Sequence, residues 1–268
     1  MRLVRYVGLV GTVLLLAGCG RVSTVRSTLP PSLQQAEQHL RRGDIAAAKQ
    51  AVDSHLQKSP TFDSYLQVLA LWSSNNQYEL SAEYAQRALN DGRLKLNSIE
   101  EAQLWQIRGD SLGYLKRYDE AAQCYEQVLK RTPNNPLTLN NYAYLLAEAN
   151  IRLDEAEAMA NRALAAEPNN PVYLDTLGWI YYRQGRYQQA VQLLEQAVQD
   201  APQEPELRYH LGMAYWMRGR LPEARVELRK AANLWRIQKG KPYEEALKAL
   251  EQVEKGIKAE PQRERVDL

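Results

Sequence analysis

The sequence predicts an all-α fold, a stack of about six helix pairs closed by a C-terminal helix, and three observations carry that reading. Ala, Leu, Gln, Glu and Arg are abundant in the 268 residues while Gly and Pro number only 14 and 12, a mixture that favours helix nearly throughout. Apolar residues return at three- and four-residue steps within each short segment, the spacing of amphipathic helices. The chain also resembles itself at an interval of 34 residues, the mark of units that stack on their neighbours.

The repeat is plainest from Pro171, where Leu174, Leu177, Gly178, Tyr181, Gly185, Tyr187, Ala190, Leu194, Ala197 and Pro202 follow in order. At an offset of 34 come Leu211, Gly212, Tyr215, Gly219, Leu221, Ala224, Leu228 and Ala231. Upstream, Trp105, Gly109, Leu112, Tyr118, Ala121, Tyr125 and Pro133 repeat the pattern, as do Ala143, Leu146, Leu153, Ala156, Ala163 and Pro168 with one residue inserted near Ile151. Weaker units centre on Ala48 and Ser81, and the 40-residue interval from Ser81 to Ala121 marks "NDGRLKLNS" as a lengthened turn. The small residues Gly178, Ala190 and Ala197 let paired backbones approach closely. "NNP" before Leu137 and again before Val172 supplies an Asn cap and a Pro at the first helical position.

This pattern resembles the tetratricopeptide repeat, matching its Trp/Leu, Leu-Gly, Tyr, Ala, Phe/Tyr, Ala and Pro positions in four successive units over 101–236. The resemblance implies an α-solenoid, here spanning 32–236, followed by a capping helix and charged tail over 237–268. Such a stack needs a polar end, and "KPYEEALKALEQVEKGIKAE" is read as that capping helix.

"MRLVRYVGLVGTVLLLAGCG" has a basic start, an apolar run from Val7 to Ala17 and small residues after it, the layout of a signal peptide over 1–18. The run is short for a membrane span. Its end, Leu16-Ala17-Gly18-Cys19, resembles the lipobox of bacterial lipoproteins, which implies a lipidated (palmitoylated) Cys19 as first mature residue and a tether over 19–31. Gly20 in place of Asp implies, by the same resemblance, an outer-membrane anchor facing the periplasm. With Arg2 and Arg5 removed, the formal charge of +2 falls to neutrality, which gives nucleic-acid binding no electrostatic basis. Cys124 is then the single remaining thiol, on an apolar helical pattern that suits burial.

In the tetratricopeptide family the first helix of each pair lines a concave surface, chiefly through repeat positions 2, 5, 9 and 12. These positions are Leu137, Asn140, Tyr144 and Ala147; then Val172, Asp175, Trp179 and Tyr182; then Glu206, Tyr209, Met213 and Trp216. The corresponding residues of the earlier unit, Gln103, Gln106, Asp110 and Gly113, are far less aromatic. Tyr144, Asp175, Trp179, Tyr182, Tyr209, Met213 and Trp216 are therefore the candidate partner-binding residues, for an extended or helical segment of another protein. The competing account of the same rings is packing between repeats. Asn141 resembles an asparagine that some family members use on a peptide carboxylate, but the accompanying Lys and Arg pattern is missing, so no such clamp is expected.

No catalytic, metal or cofactor site is expected. His39, His55 and His210 lie in separate units without ligand spacing, and no phosphate-cradling glycine loop or nucleophile elbow occurs. The two Arg-Gly-Asp triplets, at Arg42 and Arg108, fall on a turn and on a small-residue position of the repeat. Glu100-Glu101 and Glu244-Glu245 fall at helix starts, where they suit the helix dipole. The expectation is thus a lipid-anchored, non-enzymatic scaffold without a small-molecule substrate. It would bind protein partners in assembly of an envelope machine such as a type IV or Flp-type pilus or secretion system. An adaptor recruiting peptidoglycan hydrolases or proteases is the alternative, and an enzyme the remote one.

Overall fold

A computed structural model describes residues 29–263, with side chains to 257. Cys19, the signal peptide and most of the tether lie outside the described residues, as do 264–268 of the charged tail. Thirteen α-helices occur among the described residues and no strand. The chain divides into two compact units, one ending at Pro133 and the other beginning at Asn134.

The first unit holds α1 (Pro31–Arg41), α2 (Ile45–Lys58), α3 (Phe62–Ser74), α4 (Tyr78–Asn90), α5 (Ser98–Tyr114) and α6 (Tyr118–Arg131), packed as consecutive antiparallel pairs. Its core joins Leu33, Val52, Leu69, Trp72, Tyr84 and Leu104, all buried. The lengthened turn lies between α4 and α5, and α5 opens on a capping box in which Asn97 and Glu100 satisfy each other's backbone N–H groups. Cys124 is buried on α6, and burial pushes its thiol pKa up, which disfavours the reactive thiolate.

The second unit holds α7 (Pro136–Ala149), α8 (Leu153–Ala166), α9 (Pro171–Arg183), α10 (Tyr187–Asp200), α11 (Pro205–Met217), α12 (Leu221–Lys239) and α13 (Glu244–Arg263). Asn135 and Asn170 cap α7 and α9 by accepting backbone N–H bonds from Thr138 and Val172 at 3.1 and 2.9 Å, with Pro at the first position of each helix. Helices pack so closely here that a Cβ added at Gly178 would lie 2.8 Å from Leu194 Cγ, and one at Gly212 would lie 2.7 Å from Leu228 Cγ. Any larger residue would therefore push the paired helix away. Helix α13 packs on α12 and α11, burying Ala246, Ala249 and Val253.

Each helix pair turns on one left-handed residue just before its second helix: Gly43, Asn76, Lys116, Gly185 and Gly219. The inserted residue near Ile151 shows as a wider turn, in which Asn150 and Arg152 both take positive φ. Four arginines at the start of second helices then repeat one contact. Arg117, Arg152, Arg186 and Arg220 donate through Nε to Glu120, Glu155, Gln189 and Glu223, one turn along. Arg186 and Arg220 also lie 3.9 and 4.3 Å over the rings of Tyr181 and Tyr215, so the repeat's tyrosine seats the turn from the first helix.

Candidate functional site

The first helices of the second unit bring their mapped positions to one cluster, arranged around a histidine. His210, on α11, is 3% exposed, and its Nδ1 lies 2.9 and 3.0 Å from the two carboxylate oxygens of Asp175 on α9. A carboxylate only accepts, so Nδ1 carries the hydrogen. The Trp179 ring stacks on the imidazole at 4.2 Å between centroids, with the planes 19° apart. Tyr209 and Tyr144 stand at 5.7 and 6.2 Å, tilted to the same ring.

Trp179 is held on every side. Tyr182 stacks on it at 4.5 Å, its indole N–H donates to Glu148 at 2.8 Å, and Arg183 reaches past it to the Glu148 carbonyl at 3.3 Å. Beyond Tyr209 the aromatic run continues to Tyr243, 5.3 Å away, which stacks in turn on Trp235. Helix α12 reaches Lys239, which carries Trp235 to this face.

The candidate residues thus divide by access. Asp175 and Trp179 are buried in the cluster; Tyr144, Tyr182 and Tyr209 are half-buried at its margin. Met213 and Trp216, further along α11, are half-buried against the aliphatic core around Leu211 and Leu228. Burial pushes the Tyr209 hydroxyl up to about 12, with Tyr182 and Glu148 adding to the effect, so it remains a neutral donor. His210 and Glu148 were not singled out by sequence. The signal for the first was its 35-residue offset from Asp175, one more than the repeat, which sets neighbouring first-helix positions side by side.

The same face carries polar groups that the chain leaves unmatched. Among the described residues Asn140 Oδ1, Arg183 Nε and Trp235 Nε1 are buried without a hydrogen-bond partner. At the start of α11, burial raises the Glu204 carboxyl to about 7, with repulsion from Glu206 adding and Lys239 opposing. Glu206 is raised as well, chiefly by burial. No group of three or more His, Cys, Asp or Glu residues placed to hold a metal ion occurs among the described residues.

Two tetratricopeptide-repeat family models match the chain, over residues 115–180 and 176–242. These matches, with the helix pairs they fall on, show that the chain carries tetratricopeptide repeats. A tetratricopeptide-repeat-containing protein of Pseudomonas aeruginosa PAO1 is 30% identical over 186 residues, which is 69% of this chain and 30% of that protein. The chain therefore spans under a third of that relative's length. Among solved structures, a tetratricopeptide repeat protein from Parabacteroides merdae superposes with a TM-score of 0.59 at 14% identity, covering 84% of this chain and 91% of its own. PilW, described as a widely conserved type IV pilus biogenesis factor, superposes with a TM-score of 0.56 at 21% identity, covering 74% of this chain and 92% of its own. Identities this low establish a shared fold. Residues 115–242 are therefore tetratricopeptide repeats, the repeat class that the fold and the family models define together.

Proposed function

We propose that the chain is an outer-membrane-anchored scaffold that docks protein partners on the first-helix face of its second unit during assembly of an envelope machine. The observation that carries the docking face is the half-buried set Tyr144, Tyr182, Tyr209, Met213 and Trp216. An extended segment supplies the apolar cover that these rings need, while their hydroxyl and indole N–H groups can bond its backbone. The buried Asp175 and Trp179 shape this face from beneath. The anchor rests on Leu16–Cys19 and the sorting residue Gly20. The type of machine follows from the kind of lipoprotein the sequence resembles, and a pilus or secretion system is the proposed instance.

A photoreactive residue at position 216, in cells, is expected to trap a discrete partner that the same probe at Ile99 in the first unit does not. Equal or absent trapping at both positions overturns the docking face. Cys19→Ser is expected to release the chain from membranes and abolish acyl incorporation; unchanged fractionation without acylation in the parent overturns the anchor.

A further inference from the structure

We propose that His210 and Asp175 form a proton-operated latch inside the second unit: the imidazolium holds α11 to α9, and loss of its proton as pH rises loosens that hold. The inference concerns the unit's own packing and stands whether or not the docking face is correct. The pair is nearly sealed, His210 at 3% exposure and Asp175 at 1%, so its charges meet without screening water. Both carboxylate oxygens converge on one nitrogen, and α9 and α11 have direct contacts besides this pair.

The surrounding charge favours a cation at the imidazole. From α7 come Glu148 and the ring of Tyr144; from α9, Asp175; from α11, Glu206 and the neutral Tyr209. The guanidinium of Arg183 is on the far part of α9, 5.9 Å from the Trp179 ring and bonded at the Glu148 carbonyl. Tyr243, ahead of α13, packs on Tyr209, and its hydroxyl is held neutral by burial with Glu206 and Glu148 adding to the effect. The face of Trp179 on the imidazole further favours the cationic form.

The latch works by a simple proton balance. Opening loses the Nε2 proton to solvent; Nδ1 keeps its hydrogen toward Asp175, and a buried carboxylate is left facing a neutral ring. Burial alone would lower the imidazole pKa, but Asp175 outweighs it, helped by Glu148 and Glu206, and the net direction is upward from 6.5. A raised folded-state value means the stabilisation is complete below the unfolded value of 6.5 and is lost as pH rises through the folded value.

The test is a proton NMR titration of the ring signals of the three histidines in the full chain, assigned with His39→Gln and His55→Gln. The expected midpoint for His210 lies above 6.5, and the Trp179 indole signal moves with the same midpoint. Asp175→Asn, which keeps the shape and removes the charge, is expected to bring the midpoint below 6.5. A His210 midpoint at or below 6.5 in the parent chain overturns the proposal, as does a Trp179 signal indifferent to it. An Asp175→Asn chain that folds with the parent's midpoint overturns it too; if that variant does not fold, the parent titration decides alone.

Discussion

The two units satisfy buried polar groups by opposite means. In the first, hydroxyls carry much of the interior bonding: Ser81 bonds Ser73 at 3.0 Å and Ser111 at 2.9 Å, tying α3, α4 and α5, and the buried His55 meets the Ser32 hydroxyl at 2.9 Å. Its charges sit at the margin, where Asp91 accepts from Tyr65 and Arg93, and Asp53 from Tyr84 and Arg87. In the second unit an ionisable pair, His210 and Asp175, occupies the interior, with rings packed around it. Hydroxyls do not change charge near neutral pH, whereas an imidazole does. The first unit has a buried imidazole too, His55, but its partner is the Ser32 hydroxyl and burial drives it toward the neutral form, whereas the buried imidazole of the second unit faces a carboxylate.

The largest expected effect tests whether Trp179 belongs to the interior. Trp179→Ala removes a ring that stacks on Tyr182 and His210 and strands the Glu148 carboxylate, so a cost of about 3 to 5 kcal/mol is expected in chemical denaturation. Trp105, half-buried in the first unit with Arg108 5.8 Å over its ring, should lose far less as Trp105→Ala. Equal, small losses would return Trp179 to the list of free partner-binding rings.

A subtler pair separates the polar part of that loss. Trp72, fully buried in the first unit, has an indole N–H without a partner, while the Trp179 N–H has Glu148. Trp→Phe discards the N–H in both. It is expected to cost about 1 to 2 kcal/mol more at 179 than at 72, because only there is a half-buried carboxylate left without its donor. Comparable urea midpoints for the two variants would mean that the Glu148 bond contributes nothing.

Much of this was legible in advance, and the reason is the interval. Residues that recur at the repeat spacing, such as Gly178 and Gly212 or Tyr181 and Tyr215, meet equivalent neighbours, so their packing role can be read from one unit and checked in the next. The Asn caps and the insertion at Ile151 are local and equally readable. The site was not legible in the same way. His210 does not recur: the equivalent position one unit earlier is Thr176, and two units earlier Asn141. Its partner lies on another helix, and whether Trp179 or Tyr182 faces inward depends on which ring slides under the other. Periodicity cannot decide that, since both lie on one face of α9.

The units also differ in the sign of their response to pH. Arg93 holds the Asp91 carboxyl of the first unit well below its ordinary range; that stabilisation is present above the unfolded value of 3.8 and fades on acidification. Glu204 of the second unit runs the other way. Its folded value of about 7 lies above 4.5, so stability is intact below 4.5 and is withdrawn as pH rises through about 7. Glu204→Gln is therefore expected to stabilise by about 1 kcal/mol at pH 8, screening allowed for, and not at all at pH 4. Thermal melts at the two pH values check it, and equal Tm changes at both would mean that the half-buried Glu204 carboxyl is not the source of the pH dependence. Some carboxylates of the second unit follow the first unit's sign, Glu157 lowered by hydrogen bonds from Gln184 and Arg186 and Glu223 by its own backbone N–H and Arg220, so the contrast belongs to the start of α11 and not to the whole unit.

The smallest effect concerns the turns, where the units differ in what occupies the left-handed position. The second unit uses Gly185 and Gly219, at φ of 77° and 72°, in its two regular turns and Asn150 and Arg152 in its widened one; the first uses Gly43 once but Asn76 and Lys116 at φ of 57° and 59°. Asn tolerates that conformation through its short polar side chain, while Lys has no such compensation. A Cβ at Gly219 would meet nothing within 4 Å, so the constraint there is backbone conformation and not space. Lys116→Gly is therefore expected to raise stability by about 0.5 to 1 kcal/mol, the relief of strain outweighing the extra freedom glycine gives the unfolded chain. Gly219→Ala, the reverse change, is expected to cost about 1 kcal/mol. Opposite shifts of Tm would show that one conformational requirement governs the turns of both units. A loss on Lys116→Gly would mean that the lysine side chain holds its turn by contacts that outweigh the strain.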